Sequence, residues 1–255
     1  MKPDFYAEYF EVEDRHWWFV GRRQILLRTL DRHLPPAPNG RPRRVLDVGC
    51  GTGTMLRHLA RYGLVEGVDA DDEAVRFCRE RGLDRVQRAE APLPFEEGAF
   101  DLITMLDVLE HVDDDGAMLA DLYRVLRPGG VLLVTVPAYR SLWGRQDEIS
   151  HHKRRYRARE LRRRASGAGF AVRRLSYFNT LLFPGIAAIR LLRRIRPAGD
   201  ELRSDFELTR PGPLNDLLGR VFALEAPVVE RAKLPFGVSI LALAEKPATA
   251  PASAP

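Results

Sequence analysis

Three glycines stand within five positions, at Gly49, Gly51 and Gly53, between an apolar run that begins at Val45 and a helix-like pattern that begins at Thr54. Glycine lets the backbone adopt positive φ values and approach a ligand closely. The pattern therefore predicts a buried strand that turns sharply beneath a bound molecule. A side chain at any of the three glycines would occupy the space that this molecule fills.

The residues around the glycines distinguish between cofactors. A dinucleotide-binding fingerprint requires a glycine three positions after Gly51, where this chain has Thr54, and it places a pyrophosphate at the helix N-terminus. Asp47 precedes the first glycine, where a carboxylate repels a pyrophosphate but attracts an ammonium or a sulfonium. These residues favour S-adenosylmethionine over NAD.

A second acidic residue supports a nucleotide site. Leu64 to Val68 reads as a second strand, and Asp69 closes it. A carboxylate at this place can accept hydrogen bonds from both hydroxyls of a ribose. The glycines alone would be satisfied by any tight turn, but together with Asp69 they indicate nucleotide binding.

Histidines supply the candidate acid–base chemistry. Methyl transfer depends mostly on alignment, and a carbon or oxygen nucleophile also needs a proton removed. His111 follows the predicted fourth strand, Asp101 to Met105, and His152 follows the predicted fifth strand, Val131 to Val136. We therefore predict that both histidines border the methyl-acceptor site as catalytic residues. For His151, a loop histidine with no catalytic role is an equal alternative.

Length and composition restrict the class of protein. A chain of 255 residues can hold one large α/β domain with additions, or two small domains at most. The two cysteines, Cys50 and Cys78, do not suggest a disulfide framework and fit a reducing compartment. We find neither a leader pattern nor an apolar run long enough to span a bilayer, so we expect a cytoplasmic protein. The net charge of +5 selects no partner by itself.

The elements that position these residues alternate between strand and helix, which is typical of a doubly wound parallel sheet. Before the first strand, the segment from Phe5 to Leu34 reads as helical and rich in aromatic residues. Its rings, Trp17 and Trp18 among them, either pack the segment onto the core or form a lid over the substrate. A proline-rich connector from Pro35 to Pro42 ends it.

The chain from about Arg43 to Ala171 resembles the class I S-adenosylmethionine-dependent methyltransferases, in the type 11-like group that acts on small molecules. The matching segments are Val45 to Gly53, Val68 to Ala70, Leu93 to Ile103, and Leu126 to Pro137. The resemblance implies a Rossmann-like sheet of seven strands with the last strand antiparallel. It places the last two strands near Ala171 to Ser176 and Val238 to Glu245.

The resemblance also implies which residues surround the cofactor. They are Asp47, Gly49, Cys50, Gly51, Gly53, Asp69, Ala70, Glu90, Ala91, Leu106 and Asp107. Members of the family often hold the adenine amino group with an acidic residue after the third strand, where this chain has Ala89. We expect Glu90, or the backbone near Ala91, to take that part.

A divalent metal is an open alternative. Asp107, Glu110 and His111, with the distant His152, look like the metal-binding cluster of the small-RNA 2′-O-methyltransferases and the ubiquinone-pathway O-methyltransferases. Metal-free members carry the same short motif, in which Glu110 and His111 hold a loop by hydrogen bonds. Because short motifs overcall sites, we favour the metal-free interpretation.

Two later segments suggest substrate or surface contacts. The basic run from Lys153 to Arg164 either grips a phosphate or forms a solvated helix face, which we favour, and Tyr156 within it is a candidate substrate contact together with Trp17 and Trp18. The helix predicted for 184–196 is basic and amphipathic, which suits either peripheral contact with the inner membrane or a lid packed on the core. Nucleic acid is an unlikely partner because Val136 to Tyr139 differs from the tetrad of DNA amino-methyltransferases.

We therefore expect an N-terminal helical lid and linker at 1–42, a methyltransferase domain at 43–247 with a helical insertion at 177–235, and a disordered tail at 248–255. The expected activity is methyl transfer to a carbon or oxygen of a small-molecule acceptor or one linked to a lipid or sugar. Two alternatives stay open. One is a non-catalytic adenosylmethionine-binding protein or partner subunit, and the other is an NAD-dependent oxidoreductase.

Overall fold

A computed structural model of the chain describes residues 3–37, 40–195 and 212–248. The helices are α1 (Pro3–Val12), α2 (Trp17–His33), α3 (Thr54–Leu59), α4 (Asp72–Glu80), α5 (Asp115–Val125), α6 (Arg145–Ile149), α7 (Ala158–Gly167), α8 (Phe183–Ile195), α9 (Pro213–Ala223) and α10 (Ala226–Val229). The strands are β1 (Arg43–Val48), β2 (Gly63–Asp69), β3 (Val86–Arg88), β4 (Phe100–Leu106), β5 (Leu126–Pro137), β6 (Ala171–Phe178) and β7 (Ser239–Glu245).

The seven strands form one twisted sheet in the order β3-β2-β1-β4-β5-β7-β6. All pairs among β1 to β5 are parallel, and β7 is antiparallel to both β5 and β6. This topology confirms the predicted fold class. The strand order reverses between β1 and β4, and in such sheets ligands bind beyond the carboxyl ends of the strands at that reversal.

Alternate residues of each strand face opposite sides of the sheet and build two large apolar clusters. On β1, Leu46 and Val48 belong to the cluster covered by α5 and α7, whereas Val45 belongs to the cluster covered by α2, α9 and α10. The sheet is therefore buried on both faces, as the continuous apolar runs of its parallel strands require.

The N-terminal helices have two functions in the fold. Ile25, Leu26 and Leu30 of α2 are fully buried against the sheet, and burial of each stabilises the fold by about 1.5–3 kcal/mol. By contrast, α1 packs on α4, where the rings of Phe10 and Phe77 are 4.9 Å apart. The packing alternative thus applies to Phe10, and a lid over the substrate stays a prediction.

Some boundaries differ from the prediction for local reasons. The sequence predicts a strand over Val131–Val136, but β5 begins at Leu126, because Gly129 and Gly130 exchange hydrogen bonds with Lys246, just after the end of β7. The helix predicted from Leu214 to Arg231 is divided into α9 and α10. The loop predicted at 199–212, apart from Gly212, and the tail predicted at 248–255, apart from residue 248, lie outside the described residues.

Candidate active site

A cavity of about 1010 Å³ lies at the carboxyl edge of the sheet. Its floor is formed by residues at or after the ends of β1, β2, β4, β5 and β6, and α1, α2 and α8 contribute its walls. Nearly every residue predicted for the site lines it: Trp17, Trp18, Asp47, Gly49, Cys50, Gly51, Asp69, Ala70, Glu90, Ala91, Leu106, Asp107, His111 and His152. Gly53 and Tyr156 do not.

The glycine loop connects β1 to α3 through left-handed backbone conformations. Gly49, Gly51 and Gly53 have φ values of 72°, 55° and 87°. A Cβ on Gly51 would meet nothing within 4 Å and would project into free space, as expected beneath a ligand. The loop therefore holds an open surface at Gly51, which other residue types would fill.

The other two glycines are needed for protein packing, which corrects the expectation that all three make room for a ligand. A Cβ on Gly49 would lie 2.3 Å from the side chain of Val108. A Cβ on Gly53 would lie 2.5 Å from Leu83 and 2.9 Å from the sulfur of Cys78. Gly53 permits α3 and α4 to approach each other and is not a cavity residue.

Asp47 is buried at the end of β1, where the Thr104 hydroxyl donates a hydrogen bond of 2.5 Å to it. Burial raises the pKa of Asp47 to about 7, although the bond from Thr104 and the charge of Arg22 oppose this shift. The negative charge of Asp69 also raises the pKa of Asp47, by a smaller amount. A cationic group placed in the cavity would favour the ionised carboxylate.

Asp69 ends β2 and faces the same cavity. Its two oxygens accept hydrogen bonds from the backbone N–H groups of Gly51, at 2.9 Å, and Asp71, at 3.1 Å. Each carboxylate oxygen has a second lone pair, so Asp69 retains the capacity to accept hydrogen bonds from a ligand. Its contact with a ribose stays a prediction.

Arg22 of α2 is a cavity residue that the sequence did not identify. Its guanidinium forms an ion pair with Asp107, which follows β4, and lies 4.5 Å from the centre of the Trp18 ring. Asp107 has a φ of 57° and also accepts a hydrogen bond of 3.1 Å from Thr135. Arg22 Nε is buried without a hydrogen-bond partner among the described residues. The pair therefore places one cationic and one anionic group beside the glycine loop.

Hydrogen bonds join the N-terminal region to the glycine loop at this end of the cavity. Glu13, just after α1, accepts hydrogen bonds from the hydroxyl of Thr52 and from Arg81, the latter at 2.6 Å. Both Glu13 and Arg81 are nearly buried. These contacts hold α1 across the loop, as a lid would be held, and the assignment of 1–42 as a lid stays a prediction.

His152 is oriented by a buried carboxylate that the sequence did not identify. Its Nδ1 lies 2.9 Å from Asp147 Oδ1, and Asp147 also accepts bonds from Arg155 Nε, at 2.6 Å, and Nη2, at 3.0 Å. Burial opposes ionisation of Asp147, but the bonds from His152 and Arg155 outweigh it and hold its pKa well below the usual range. An ionised carboxylate only accepts hydrogen bonds, so His152 Nδ1 donates to Asp147 and carries a proton.

His111 and Glu110 lie beside His152. The imidazole rings of His111 and His152 are 4.7 Å apart and nearly perpendicular, and burial together with the neighbouring His152 lowers the pKa of His111 to about 3. Glu110 is fully buried, and neither of its oxygens has a hydrogen-bond partner among the described residues. Burial, reinforced by the charge of Asp107, raises its pKa well above the usual value.

These three residues are the ones in the described structure whose geometry suits a metal ion. One ligand atom from each of Glu110, His111 and His152 lies within 4.8 Å of the others. Asp107, the fourth member of the predicted cluster, pairs instead with Arg22. The donors, one carboxylate and two imidazoles, suit a transition metal better than Mg²⁺.

Tyr156 was predicted to contact the substrate, and the structure corrects this. Its side chain is fully buried, and its hydroxyl donates a bond of 2.9 Å to Asp115 and a longer one to Leu109 O. The ring therefore packs in the core under α5. The sequence could not show this because the aromatic residue stands among surface-like basic residues.

The basic run from Lys153 to Arg164 is divided between buried and exposed positions. Arg154 and Arg164 pair with the buried Asp115, and Arg155 pairs with Asp147. Three further arginines, at 159, 162 and 163, are on the exposed face of α7. The run is thus partly structural and partly a solvated helix face.

Helix α8 presents its apolar side chains in an unexpected direction. Leu191 and Leu192 are 59% and 62% exposed, whereas Arg190 turns inward to the carbonyl of Leu142 and lies 3.6 Å from Asp147. Ile186 and Ile189 line the cavity. The side chains of residues 193–195 lie outside the described part of the structure.

Together, the reversal of strand order, the open glycine loop and the acidic residues at the ends of β1 and β2 define a class of protein: a doubly wound enzyme-type fold with a nucleotide-cofactor site. The family model described as "Methyltransferase domain" matches residues 19–175, which is more than half of the chain. The chain belongs to the class I S-adenosylmethionine-dependent methyltransferases.

Sequence relatives include methyltransferases that act on different atoms. The chain is 39% identical over 100 residues to a ubiquinone biosynthesis O-methyltransferase of Xanthomonas oryzae, covering 36% of this chain and 42% of that protein. It is 30% identical over 139 residues to ajmaline N-methyltransferase of Rauvolfia serpentina, covering 48% and 47%. The matched part is thus less than half the length of either relative.

Solved structures share the fold across most of the chain. A Haloferax volcanii protein in complex with the Trm112 methyltransferase activator has a TM-score of 0.61 at 20% identity, covering 96% of this chain and 95% of that one. A phosphoethanolamine N-methyltransferase of Haemonchus contortus, solved with S-adenosylhomocysteine, has a TM-score of 0.52 at 23% identity, covering 88% and 52%. Within the described ranges, no helix has the length and apolar character needed to cross a bilayer.

Proposed function

We propose that the protein transfers a methyl group from S-adenosylmethionine to an oxygen or carbon atom of a small-molecule acceptor, or of an acceptor linked to a lipid or sugar. The observation that carries this proposal is the position of His152. His152 lines the same cavity as the glycine loop, and Asp147 accepts a hydrogen bond from its Nδ1. Nitrogen acceptors need such a base less, because an amine lone pair is nucleophilic once the amine is neutral.

The residues around the glycine loop fit the cofactor. The free space above Gly51 and the buried carboxylates of Asp47 and Asp69 would accept a nucleoside that carries an ammonium and a sulfonium. When bound, S-adenosylmethionine supplies a methyl group on a good leaving group. Asp47 and Arg22 would hold the charged amino-acid end, and Asp69 would hold the ribose.

The remaining chemistry belongs to the chain. His152 Nε2 would take the proton that a hydroxyl or an acidic carbon loses, and Asp147 would stabilise the imidazolium that forms. His111 stays neutral near physiological pH, so it can offer hydrogen bonds but is a weak base. Trp17 and Trp18 would exclude water from the reacting atoms.

The test is direct. Purified protein is titrated by calorimetry with S-adenosylmethionine, S-adenosylhomocysteine and NAD, and methyl-labelled cofactor is then incubated with panels of phenols, sugars and lipid extracts. We expect binding of the first two ligands only and label in an organic acceptor. Binding of NAD alone would overturn the proposal, and cofactor binding with no transfer to any acceptor would favour a non-catalytic partner subunit.

Cofactor affinity should depend on pH through Asp47. Because its pKa is raised to about 7 in the free protein, the carboxylate is ionised above that pH and protonated below it. A cationic ligand prefers the ionised form, so we expect the affinity for S-adenosylmethionine to fall about tenfold between pH 7.5 and 5.5. Calorimetric titration across this range measures it. The Asp47→Asn variant should bind S-adenosylmethionine more weakly than the wild type at pH 7.5, and its affinity should be nearly constant from pH 7.5 to 5.5. An equal fall in affinity with pH in the variant and the wild type would contradict the assignment to Asp47.

We further propose that Glu110 acts as a neutral carboxyl and that turnover needs no metal. Burial raises the pKa of Glu110, so the folded state is destabilised at any pH where the carboxyl of the unfolded chain is ionised. This cost is absent below the unfolded pKa of about 4.5 and grows as the pH rises. Glu110→Gln should therefore raise the free energy of unfolding at pH 8 by about 1–3 kcal/mol, with a smaller gain at pH 5. Urea unfolding at the two pH values measures this difference.

Chelation separates the two interpretations of the Glu110 cluster. We expect turnover to survive dialysis against EDTA, and Glu110→Gln to remain active. If turnover is lost, returns with Mn²⁺ or Zn²⁺ and is absent in Glu110→Gln, then Glu110, His111 and His152 hold a metal that would acidify the acceptor.

Peripheral contact with an anionic membrane through 184–196 remains part of the proposal. The exposed Ile189, Leu191 and Leu192 on α8 support it, since large apolar side chains exposed together favour an interface. Such contact would bring a lipid-linked acceptor to the mouth of the cavity, which Ile189 also lines.

A further inference from the structure

The cavity extends over the second half of the sheet, beyond the residues that fit a cofactor. The residues that fit a cofactor lie at the ends of β1, β2 and β4. On the other half of the same edge, Pro137 ends β5, Asn179 follows β6 and Ser239 begins β7. Since β5, β7 and β6 are consecutive in the sheet, these three residues form a continuous floor away from the glycine loop. This part of the cavity therefore has room for a molecule other than the cofactor.

Asn179 is an exceptional residue on this floor. It is fully buried, it lines the cavity, and neither the oxygen nor the nitrogen of its side-chain amide has a hydrogen-bond partner among the described residues. A buried amide without partners costs about 1–3 kcal/mol for each group left unpaired. An unpaired amide in a residue that lines a cavity needs an explanation, and a molecule bound there would supply the missing bonds.

The backbone around Asn179 is held firmly in a conformation that few residues adopt. Asn179 has a φ of 58°, in the left-handed region. Its carbonyl accepts a bond of 3.3 Å from Val238 N–H, and two residues later the Leu181 N–H donates a bond of 2.7 Å to the buried carboxylate of Glu225. The Thr180 hydroxyl donates to the carbonyl of Phe236. Three separate hydrogen bonds thus hold the backbone from Asn179 to Leu181 in place.

We propose that the side-chain amide of Asn179 binds a neutral hydrogen-bonding group of the methyl acceptor, a hydroxyl or a carboxamide. An amide offers one acceptor oxygen and two donor hydrogens, which a group that both donates and accepts would satisfy. The apolar neighbours Leu182 and Ile186 line the same cavity and would contact the carbon skeleton that carries the group. This inference rests on the proposed function for the identity of the ligand as an acceptor.

The test uses matched probes. The protein, with and without saturating S-adenosylhomocysteine, is titrated with phenol, benzamide and toluene, and affinities are measured by ligand-observed NMR. Phenol and benzamide present the hydroxyl and the carboxamide, and toluene has the same ring without either group. We expect phenol or benzamide to bind about three- to tenfold more tightly than toluene, as one net hydrogen bond provides.

Asn179→Gly removes the amide and keeps a residue that tolerates the left-handed backbone, so the variant should fold. The preference over toluene should disappear in this variant and persist in Leu181→Ala, a matched control whose side chain is 53% exposed. A preference that survives in Asn179→Gly, or that is absent from the wild type, overturns the inference. Circular dichroism spectra that match the wild type establish folding.

The outcome is separable from that of the proposed function. Calorimetry with S-adenosylhomocysteine tests the cofactor site, and Asn179→Gly should leave that affinity within about twofold. If the wild-type protein fails to bind S-adenosylhomocysteine, the proposed function fails. The difference in affinity between toluene and phenol or benzamide, measured without the cofactor, still decides whether Asn179 binds a ligand.

Discussion

Replacing His152 with alanine should lower kcat by about 10²- to 10⁴-fold, the range typical of a general base in proton transfer. The fold should persist, because Asp147 keeps both bonds from Arg155 when the imidazole is removed. Affinity for S-adenosylhomocysteine should change little, since we propose that His152 contacts the acceptor and not the cofactor. Steady-state turnover with the acceptor found by labelling, together with calorimetry, measures the two effects.

His151 provides the matched control. It is exposed, with a φ of 54°, so His151→Asn keeps a residue that tolerates the left-handed conformation and should leave turnover unchanged. His111→Ala tests the other predicted histidine and should have a smaller effect than His152→Ala, because His111 is a weak base. Unchanged turnover in both His111→Ala and His152→Ala would reject the catalytic assignment.

The second large effect concerns Asp69. Asp69→Ala should weaken binding of S-adenosylhomocysteine by about 10²-fold or more, because two charge-assisted hydrogen bonds to a ribose are worth about 1.5–3 kcal/mol each. Part of the loss will come from the glycine loop, since Asp69 also accepts a bond from Gly51 N–H. Calorimetry gives the affinity directly.

Two further variants isolate the role of Asp69. Asp69→Asn has the same shape and one acceptor oxygen, so its affinity should lie between those of the wild type and Asp69→Ala. Asp72→Ala removes a nearby carboxylate that is 78% exposed and should have no effect. An Asp69→Ala protein that binds the cofactor within threefold of the wild type would reject the ribose contact.

The parts of the site that could be predicted from sequence are those encoded locally. Gly49 and Gly51 with Asp47 occupy one tight turn, so their order along the chain already describes their arrangement in space. The parallel, doubly wound sheet followed from the alternation of strand and helix, and its seven strands with an antiparallel last strand followed from the family resemblance. Asp71 caps α4 by accepting a hydrogen bond of 3.0 Å from Glu73 N–H, as an aspartate just before a helix predicts.

The parts that could not be predicted depend on pairings between distant segments or on backbone conformation. Arg22 and Asp107 are separated by 85 residues, and nothing local marks Arg22 among the many arginines of the chain. Asp147 is only five residues from His152, but its importance comes from its burial with Arg155. Asn179 is distinguished by a left-handed φ and an unpaired amide, neither of which a sequence displays.

The reversal of strand order between β1 and β4 has a consequence for how such a chain diversifies. Residues suited to the cofactor come from the ends of strands up to β4, and Asn179 and His152 come from segments after β5. If the segments after β5 hold the acceptor, as we propose, substitutions there would change the acceptor and leave the residues at the ends of β1, β2 and β4 in place. The family model ends at residue 175, so Asn179 lies just beyond the part of the chain that it matches.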